Sequence, residues 1–330
     1  MTQPSSGNKN HAIRMHRFGG PEVLVWEPVD VGDPGPGEVR MRHTYAGLNF
    51  VDIVVRRGLH GAPLPVTSGR EGAGVVEALG PGVSNVKVGD RVAYAPVQGS
   101  FCQSRLIDAR VLVKLPEAID DRTAAAIMLQ GMTVQYLIRQ IHAVKPGDTI
   151  LMHAAAGGVG LFLCQWAAAL GARVIGTVST EEKAALARAH GCHDTILYTK
   201  EDFVARVNDI TGGAKVNVVY DAVGKDTFVK SLDCLAVHGH IVSFGRASGP
   251  VPPVDMTALA RGGLTVTQGA LLNFVRTPQE LNHVAQDMFD AVLSGKVKVV
   301  INREYALKDA AEAQRDLESR GTTGKSILIV

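Results

Sequence analysis

Cysteine is scarce in this sequence, and its distribution excludes two common roles. The four cysteines, Cys102, Cys164, Cys192 and Cys234, lie far apart, and none forms a C-x-x-C pair or stands near a histidine at zinc-ligand spacing. A structural zinc site is therefore not expected. A disulfide scaffold is equally unexpected in a chain of 330 residues. We predict buried or partly buried thiols.

Charge of one sign, aromatic side chains and long apolar runs are also lacking. The net charge is +2, no block of like charges occurs, and aromatic residues make up 5% of the chain, so nucleic acid is not expected as the main partner. No apolar run reaches the roughly 18 residues of a membrane span, and the leader MTQPSSGNKN contains no export segment. We expect a cytoplasmic protein with no membrane partner, whose first ten residues are frayed or come from cloning.

What the sequence does contain is two successive patterns of secondary structure. Up to about residue 130, turns such as GDPGPGE, APLP and VGD separate short β-branched runs, which is typical of an antiparallel or barrel-like β domain. From residue 131, apolar strands such as TILMH, ARVIGTV and VNVVYD alternate with segments of helical length. Repeated strand and helix with continuously apolar strands predicts a doubly wound parallel sheet covered on both faces.

The segment TPQELNHVAQDMFDAVLSG predicts a helix near the end of the chain. Thr277 and Glu280 fit a capping box, Pro278 suits the first turn and Gly295 provides a stop. The residues that recur at helical spacing, and are therefore expected in the core, are Leu281, Val284, Ala285, Met288, Phe289, Val292 and Leu293. After it, VVINREYAL and SILIV return to strand character, so the last 60 residues are expected to fold back onto the first domain.

The stretch HAAAGGVG, residues 153–160, stands between an apolar strand and an apolar helix. Ala155, Gly157 and Gly160 match the A-x-G-x-x-G form of the dinucleotide fingerprint, in which small residues allow a tight turn, approach of a pyrophosphate and close helix packing. Unpaired amides at a helix start favour an anion by about 0.3–1 kcal/mol. Such a turn can also serve packing alone, but the repeated strands and helices around it favour a dinucleotide.

The end of the second strand indicates which dinucleotide binds. An NAD site usually carries Asp or Glu about 20 residues beyond the glycine turn, whereas this chain has Ser179 and Thr180, with Lys183 one helical turn later. Small hydroxyls leave room for a 2′-phosphate, and Lys183 offers a charge to it. The pattern predicts NADPH, although Lys183 taken alone could also be a solvated helix residue.

These motifs carry a resemblance that extends over nearly the whole chain. The segments GGPEVL, AGLNFVDIVVRRG, VGDRVAY, HAAAGGVGLFLCQWAAALGA, VVYDAVGKDTF, VSFG and LESRGTTGKSILI resemble the zinc-free medium-chain dehydrogenase/reductases, specifically the bacterial NADPH:quinone oxidoreductases related to zeta-crystallin. The resemblance implies an α/β fold: a GroES-like, β-rich catalytic domain of residues 1–130 with 269–330, and a Rossmann doubly wound parallel-sheet domain of residues 131–268 that binds NADPH. It also implies a homodimer.

The resemblance further implies which residues bind the cofactor. Carried over by motif, they are Asn49, Phe50, Tyr136, Gly157, Gly158, Val159, Gly160, Ser179, Thr180, Lys183, Tyr198, Phe244, Gly245, Leu271 and Arg320. Asn49 and Phe50 would lie near the nicotinamide, and Ser179, Thr180, Lys183 and Tyr198 near the adenosine phosphate. Taken singly, Phe244 could be a core residue, Tyr198 a surface residue and Arg320 a solvated charge.

The zinc-dependent relatives differ from this chain at two positions. They resemble its layout but carry Cys where this chain has Asn49 and Gly-His-Glu where it has Gly69, Arg70 and Glu71. Without a Lewis acid, alcohol dehydrogenation loses its main charge stabilisation, whereas an electrophilic quinone needs less help. The resemblance suggests Asn49 and Asp52 as the catalytic pair: Asn49 would orient the carboxamide or a substrate carbonyl, and Asp52 would organise amides or water, or merely cap its own loop.

These observations predict a zinc-free, NADPH-dependent quinone reductase. Val54 and Gln130 stand where relatives often have Tyr and Lys, so the acceptor range is open and could include larger or more apolar molecules. Reduction of an activated C=C bond in an enal, enone or enoyl thioester is the alternative within enzymes. An NADPH-binding sensor, structural or RNA-binding protein is the alternative of another class.

Overall fold

The computed structural model describes residues 10–330, so the prediction for the first ten residues lies, except for Asn10, outside the described range. The strands are β1 His11–Met15, β2 Val25–Pro28, β3 Glu38–Leu48, β4 Val66–Thr67, β5 Gly72–Leu79, β6 Arg91–Tyr94, β7 Ser104–Asp108, β8 Val113–Lys114, β9 Thr149–Met152, β10 Arg173–Val178, β11 Asp194–Leu197, β12 Val216–Asp221, β13 Leu235–Ser243, β14 Thr265–Gln268, β15 Ile301–Ala306 and β16 Lys325–Ile329. The α-helices are α1 Phe50–Arg56, α2 Asp121–Gln135, α3 Gly158–Ala169, α4 Glu181–Ala189, α5 Phe203–Thr211, α6 Phe228–Ser231, α7 Thr257–Ala260, α8 Pro278–Leu293 and α9 Ala310–Glu318.

The chain divides into two compact units. Within the described residues, one consists of residues 10–129 together with Arg276–Ala285 and Ile301–Val330, and the other of Gln130–Val275 and Gln286–Val300. Helix α8 contributes to both units, since its first turns belong to one and its last turns to the other.

The second unit contains a six-stranded sheet in the order β11-β10-β9-β12-β13-β14, and every pairing is parallel. Its central strand β9 is apolar on both sides, with Ile150, Leu151 and Met152 all buried, as expected for a sheet covered on two faces. The strand order reverses between β9 and β12, and ligands of such sheets bind at the carboxyl ends of the strands at that point. The predicted doubly wound parallel sheet is confirmed.

The first unit is built from antiparallel β-structure. Strand β3 lies at the centre of a seven-stranded sheet in the order β15-β16-β3-β5-β6-β8, with β7 also pairing to β3, and a small sheet of order β2-β1-β4 accompanies it. All pairings in these sheets are antiparallel except β15 with β16. The sequence prediction of a β-rich domain is confirmed, and β16 places the C-terminal segment SILI beside β3.

Helix α8 has the predicted start, and most of its predicted core residues are buried. The Glu280 amide donates to Thr277 Oγ1 at 3.1 Å, and the Thr277 amide donates to Glu280 Oε2 at 3.1 Å, which is a complete capping box. Five of the seven predicted core positions are buried: Leu281, Val284, Ala285, Met288 and Phe289. The prediction was wrong for Leu293, which is 46% exposed because it lies in the last turn, where the helix ends before Gly295.

All four cysteines are buried free thiols, as predicted. Within residues 10–330, no helix combines the length and the apolar character needed to cross a lipid bilayer.

Candidate functional site

The turn from β9 to α3 holds the glycine motif at the switch point of the parallel sheet. Helix α3 begins at Gly158, and Gly157 is its N-cap in extended backbone, with φ −76° and ψ 172°. The Gly157 amide donates to Ala154 O at 2.9 Å and closes the turn. The amides of the first helical turn have no intrahelical carbonyl to bind, so they present donors and partial positive charge at the carboxyl edge of the sheet.

The glycines of this turn serve different purposes. A Cβ atom on Gly160 would lie 2.4 Å from Ala154 O and 2.6 Å from Ala155 O, so Gly160 allows the helix to pack on the turn. A Cβ atom on Gly157 would have one neighbour within 4 Å, Ala154 O at 3.3 Å, so the outer face of Gly157 is open. An open backbone face beside unpaired helix-start amides fits a diphosphate.

Two features of the turn were not foreseen from the sequence. The φ of Ala154 is +57°, a left-handed conformation that is strained in a residue with a Cβ atom. His153 is buried, with Nδ1 2.9 Å from Thr177 Oγ1 and Nε2 2.8 Å from Ser231 Oγ, and burial lowers its pKa. A neutral His153 therefore ties the start of the turn to β10 and α6.

Residues predicted for the adenosine phosphate lie together at the carboxyl ends of β10 and β11. Val178 and Leu197 are paired, so Ser179 and Tyr198 directly follow neighbouring strands. Thr180 is the N-cap of α4, with its Oγ1 accepting from the Lys183 amide at 3.3 Å. Lys183 lies in the first turn of α4, and partial burial lowers its pKa. The structure thus places Ser179 and Tyr198 directly after neighbouring strands, and Thr180 and Lys183 at the start of the helix that follows β10.

Other predicted cofactor residues of this unit differ in exposure. Tyr136 is 2% exposed, and its ring stacks on Phe274 with 4.5 Å between centroids. Phe244 and Gly245 follow β13, and the Phe244 amide donates to Asp221 O at 3.0 Å. Leu271 is 8% exposed in a short helical turn after β14.

Gln130 packs on the glycine turn. A Cβ atom on Gly158 would lie 2.2 Å from Gln130 Oε1, so the Gln130 side chain covers the Cα atom of Gly158. The sequence marked this position only as a departure from relatives, and the contact was not foreseen.

In the first unit, the predicted catalytic pair lies at the start of α1. The Asn49 amide donates to Asp52 Oδ2 at 2.8 Å, and the Asp52 amide donates to Asn49 O at 3.0 Å. Asp52 therefore caps its own helix, in agreement with the capping role that the sequence suggested beside a catalytic one. Its Oδ1, however, is buried without a hydrogen-bond partner in residues 10–330. Burial raises the pKa of Asp52 to about 7, against the lowering effects of the Asn49 amide, Lys325 and Arg70.

The Asn49 side chain belongs to a buried cluster with Glu71 and Lys325. Asn49 Nδ2 donates to Glu71 Oε2 at 2.8 Å, and Lys325 Nζ donates to Asn49 Oδ1 at 2.8 Å and to Glu71 Oε2 at 2.6 Å. The Leu129 amide donates to Glu71 Oε1 at 2.7 Å. A Cβ atom on Gly47 would lie 2.2 Å from Glu71 Oε2, so glycine there makes room for the carboxylate.

The remaining residues of the first unit that the sequence singled out lie on α1 or after α9. Phe50 is the first residue of α1 and is half-buried. Val54 is 8% exposed on the same helix. Arg320 is exposed and follows α9 with a φ of +60°. Within the described part of the chain, no group of three or more His, Cys, Asp or Glu side chains could hold a metal ion.

Known proteins resemble this chain over nearly its full length. Two family models match: an alcohol dehydrogenase GroES-like domain at residues 35–140, which confirms the predicted domain type, and a zinc-binding dehydrogenase at residues 158–289. The sequence is 49% identical over 321 residues to a quinone oxidoreductase of Pseudomonas aeruginosa, covering 96% of this chain and 98% of the relative. It is 46% identical over 328 residues to a 2-haloacrylate reductase of a Burkholderia species, with 96% and 98% covered.

A solved structure is also similar to this chain, in fold as well as in sequence. The quinone oxidoreductase of Escherichia coli complexed with NADPH matches with a TM-score of 0.94 and 45% sequence identity, and the match covers 97% of this chain and 100% of that one. With this likeness in sequence, in fold and in coverage, the chain belongs to the quinone oxidoreductase family.

Proposed function

We propose that this protein is an NADPH-dependent quinone oxidoreductase that transfers hydride directly from the nicotinamide to a quinone. The observation that carries the proposal is the turn from β9 to α3, where the open face of Gly157 meets the unpaired amides at the start of α3. The family relatives named as quinone oxidoreductases, one of them complexed with NADPH, support it.

The cofactor is NADPH rather than NADH in this proposal. Gly157, Gly158, Val159 and Gly160 would hold the diphosphate through backbone amides. Ser179, Thr180, Lys183 and Tyr198 would surround the adenosine 2′-phosphate, because this edge of the sheet offers hydroxyls and an ammonium group where an NAD site places a carboxylate. Tyr136, Phe244, Gly245, Leu271 and Arg320 would complete the cofactor contacts.

The catalytic work of the chain lies at the start of α1. Bound NADPH supplies the hydride. Asn49 and Phe50 would contact the nicotinamide, and the Asn49 amide would orient a carbonyl oxygen by donating to it. Asp52 would hold a proton at Oδ1, because this oxygen has no hydrogen-bond partner in the described chain. The pKa of the Asp52 carboxyl is about 7. A proton held there at neutral pH could pass to the oxygen of the reduced quinone.

Zinc has no part in the proposed reaction. Asn49 and Arg70 stand where the zinc-dependent relatives carry Cys and His, and the Asn49 oxygen and the Glu71 carboxylate both bind the ammonium of Lys325. A cation of the chain itself therefore neutralises the carboxylate that could otherwise attract a metal ion.

Reduction of an activated C=C bond is a second candidate function. The 2-haloacrylate reductase of Burkholderia, 46% identical over nearly the full length, favours it. The hydride geometry required is the same, and the two functions differ in the acceptor that the site recognises.

We also propose the arrangement in which these parts act. Residues up to 130 together with 269–330 would form the catalytic domain, and residues 131–268 would form the NADPH-binding domain, although residues 269–275 and 286–300 belong to the compact unit of the parallel sheet. The working form would be a homodimer, for which the edge strand β14 offers unpaired backbone groups and the side chain of Val266, which is 41% exposed. Light scattering of the purified protein tests this, since a monomer mass would refute it.

The function is tested by following NADPH oxidation spectroscopically with a panel of acceptors. We expect turnover with quinones, no turnover with primary alcohols and NADP⁺, and the same rate after treatment with EDTA. Turnover of 2-haloacrylate or an enone in place of every quinone would favour the second function. Loss of activity in EDTA that zinc restores would refute the metal-free proposal.

A further inference from the structure

We infer that Lys325 is a positioning residue of the reaction: together with Glu71 it fixes the Asn49 side-chain amide so that Asn49 presents an N–H group, and not its oxygen, to a carbonyl group of cofactor or substrate. The inference rests on the proposed function, because it assigns a role to Asn49 in that reaction. It adds two residues, Lys325 and Glu71, to which no motif in the sequence assigns a role.

The chemistry of the neighbours assigns the two ends of the Asn49 amide. An ammonium group has only hydrogen-bond donors, and a carboxylate has only acceptors. The end of Asn49 that faces Lys325 Nζ at 2.8 Å must therefore be Oδ1, and the end that faces Glu71 Oε2 at 2.8 Å must be Nδ2. Rotating the amide by half a turn would bring NH₂ against NH₃⁺ and oxygen against a carboxylate, so the opposite orientation is excluded.

This assignment leaves one N–H of Asn49 weakly engaged. Nδ2 carries two hydrogens, of which one is bound to Glu71. The other is directed at Gly47 O, 3.4 Å from Nδ2, which is longer than an ordinary N–H···O hydrogen bond. That hydrogen is the group that Asn49 can offer to a carbonyl oxygen of the carboxamide or of the acceptor.

Burial makes the arrangement rigid. The exposed fractions are 4% for Asn49, 0% for Glu71 and 2% for Lys325, so water cannot substitute for any of the three. Glu71 is held further by the Leu129 amide, and Lys325 begins strand β16, which pairs with the end of β3 next to Asn49. Lys325 lies on strand β16 and Glu71 directly precedes strand β5, so both partners are anchored by the sheet, which is how a site residue is held to a fraction of an ångström.

A double-mutant cycle tests whether Lys325 acts through Asn49. We measure kcat and KM of four proteins with one quinone: the wild type, Asn49→Ala, Lys325→Met and the double variant. Removing a positioned donor lowers kcat by about 100-fold, so we expect that order for Asn49→Ala and about tenfold for Lys325→Met. In the Asn49→Ala background, Lys325→Met should lower kcat by less than about twofold, because nothing remains to be positioned.

A second arm needs no turnover. In Lys325→Met, the Glu71 carboxylate is buried without its cation, and an uncompensated buried charge destabilises the folded state. The variant should therefore unfold at a lower urea concentration than the wild type. The variant Lys325→Met/Glu71→Gln should recover most of this loss because glutamine is uncharged, and it is used for the kinetic comparison if Lys325→Met alone does not fold.

The outcomes separate this inference from the proposed function. Equal losses of kcat from Lys325→Met with and without Asn49, or wild-type kcat in a folded Lys325→Met/Glu71→Gln variant, would overturn the positioning role while leaving the quinone reductase intact. A wild-type protein that fails to oxidise NADPH with any of the acceptors would overturn both the proposed function and the positioning role. The non-additive cycle, together with a stability loss in Lys325→Met that Glu71→Gln recovers, is the supporting result.

Discussion

The substitution Gly157→Ala should separate cofactor binding from folding. The backbone of Gly157, at φ −76° and ψ 172°, is open to alanine, and the new methyl group would meet one atom within 4 Å, Ala154 O at 3.3 Å. Replacing a glycine N-cap by alanine costs about 0.5–1 kcal/mol in helix stability. We therefore expect a folded variant that unfolds in urea with a free energy within about 1 kcal/mol of the wild type.

The cofactor should respond far more strongly. The methyl group would fill the open face on which the diphosphate is proposed to rest, and so move it away from the amides at the start of α3. Loss of one charge-assisted hydrogen bond is worth about 1.5–3 kcal/mol, which corresponds to roughly 10- to 150-fold weaker binding. The assay is equilibrium titration of the protein with NADPH, followed by the fluorescence of the nicotinamide.

Gly160→Ala is the matched control, since it adds the same methyl group three residues later. There the Cβ atom would lie 2.4 Å from Ala154 O and 2.6 Å from Ala155 O, which are backbone atoms that cannot rotate away. This variant should lose folding stability, by about 2 kcal/mol or more. If Gly157→Ala binds NADPH as tightly as the wild type, the diphosphate does not lie on this face and the reasoning is refuted.

Four further predictions concern single side chains. Lys183→Ala should weaken NADPH binding by about 10- to 100-fold and NADH binding hardly at all, measured by the same titration; equal losses would contradict its phosphate role. Ala154→Gly should raise the free energy of unfolding by about 0.5–1 kcal/mol, because glycine relieves a φ of +57°, and an unchanged value in urea would show no strain. Arg56→Met should lower it by about 3 kcal/mol, since the buried guanidinium bonds Gln314 and Glu318, each at 2.7 Å. The pKa of Asp52 is about 7 in the folded protein against 3.8 ordinarily, so its contribution to stability is complete below about pH 4 and is lost as the pH rises through 7. In urea unfolding, Asp52→Asn should remove this loss of stability. The wild type should also show a fall in kcat above pH 7, which Asp52→Asn should remove.

Features that depend on neighbouring residues in the chain could be predicted from the sequence. The parallel sheet follows from the alternation of apolar strands with helices, and the position of the turn from β9 to α3 follows from its glycines. The capping box of Thr277 and Glu280 was also predictable, because both partners lie within one helical turn. The error at Leu293 has a physical reason too, since helical spacing identifies an apolar face but not how far along the helix that face stays covered.

The cluster around Asn49 could not be found in this way. Asn49 and Lys325 are 276 positions apart in the chain, and they meet because β16 pairs with β3. A lysine before an apolar strand is ordinarily predicted to be a surface charge. Lys325 is buried because of the register between β16 and β3, which no local sequence pattern predicts. The same holds for His153, whose partners Thr177 and Ser231 come from other elements of the sheet unit.

The most direct test of the account is the single-turnover reduction of a quinone by the EDTA-treated protein, with NADPH or with NADPH deuterated at the transferred C4 position. Direct, metal-free hydride transfer predicts full oxidation of NADPH at the rate of the untreated protein and a slower reaction with the deuterated cofactor. A rate that vanishes in EDTA and returns with zinc, or NADPH that stays reduced, would contradict it.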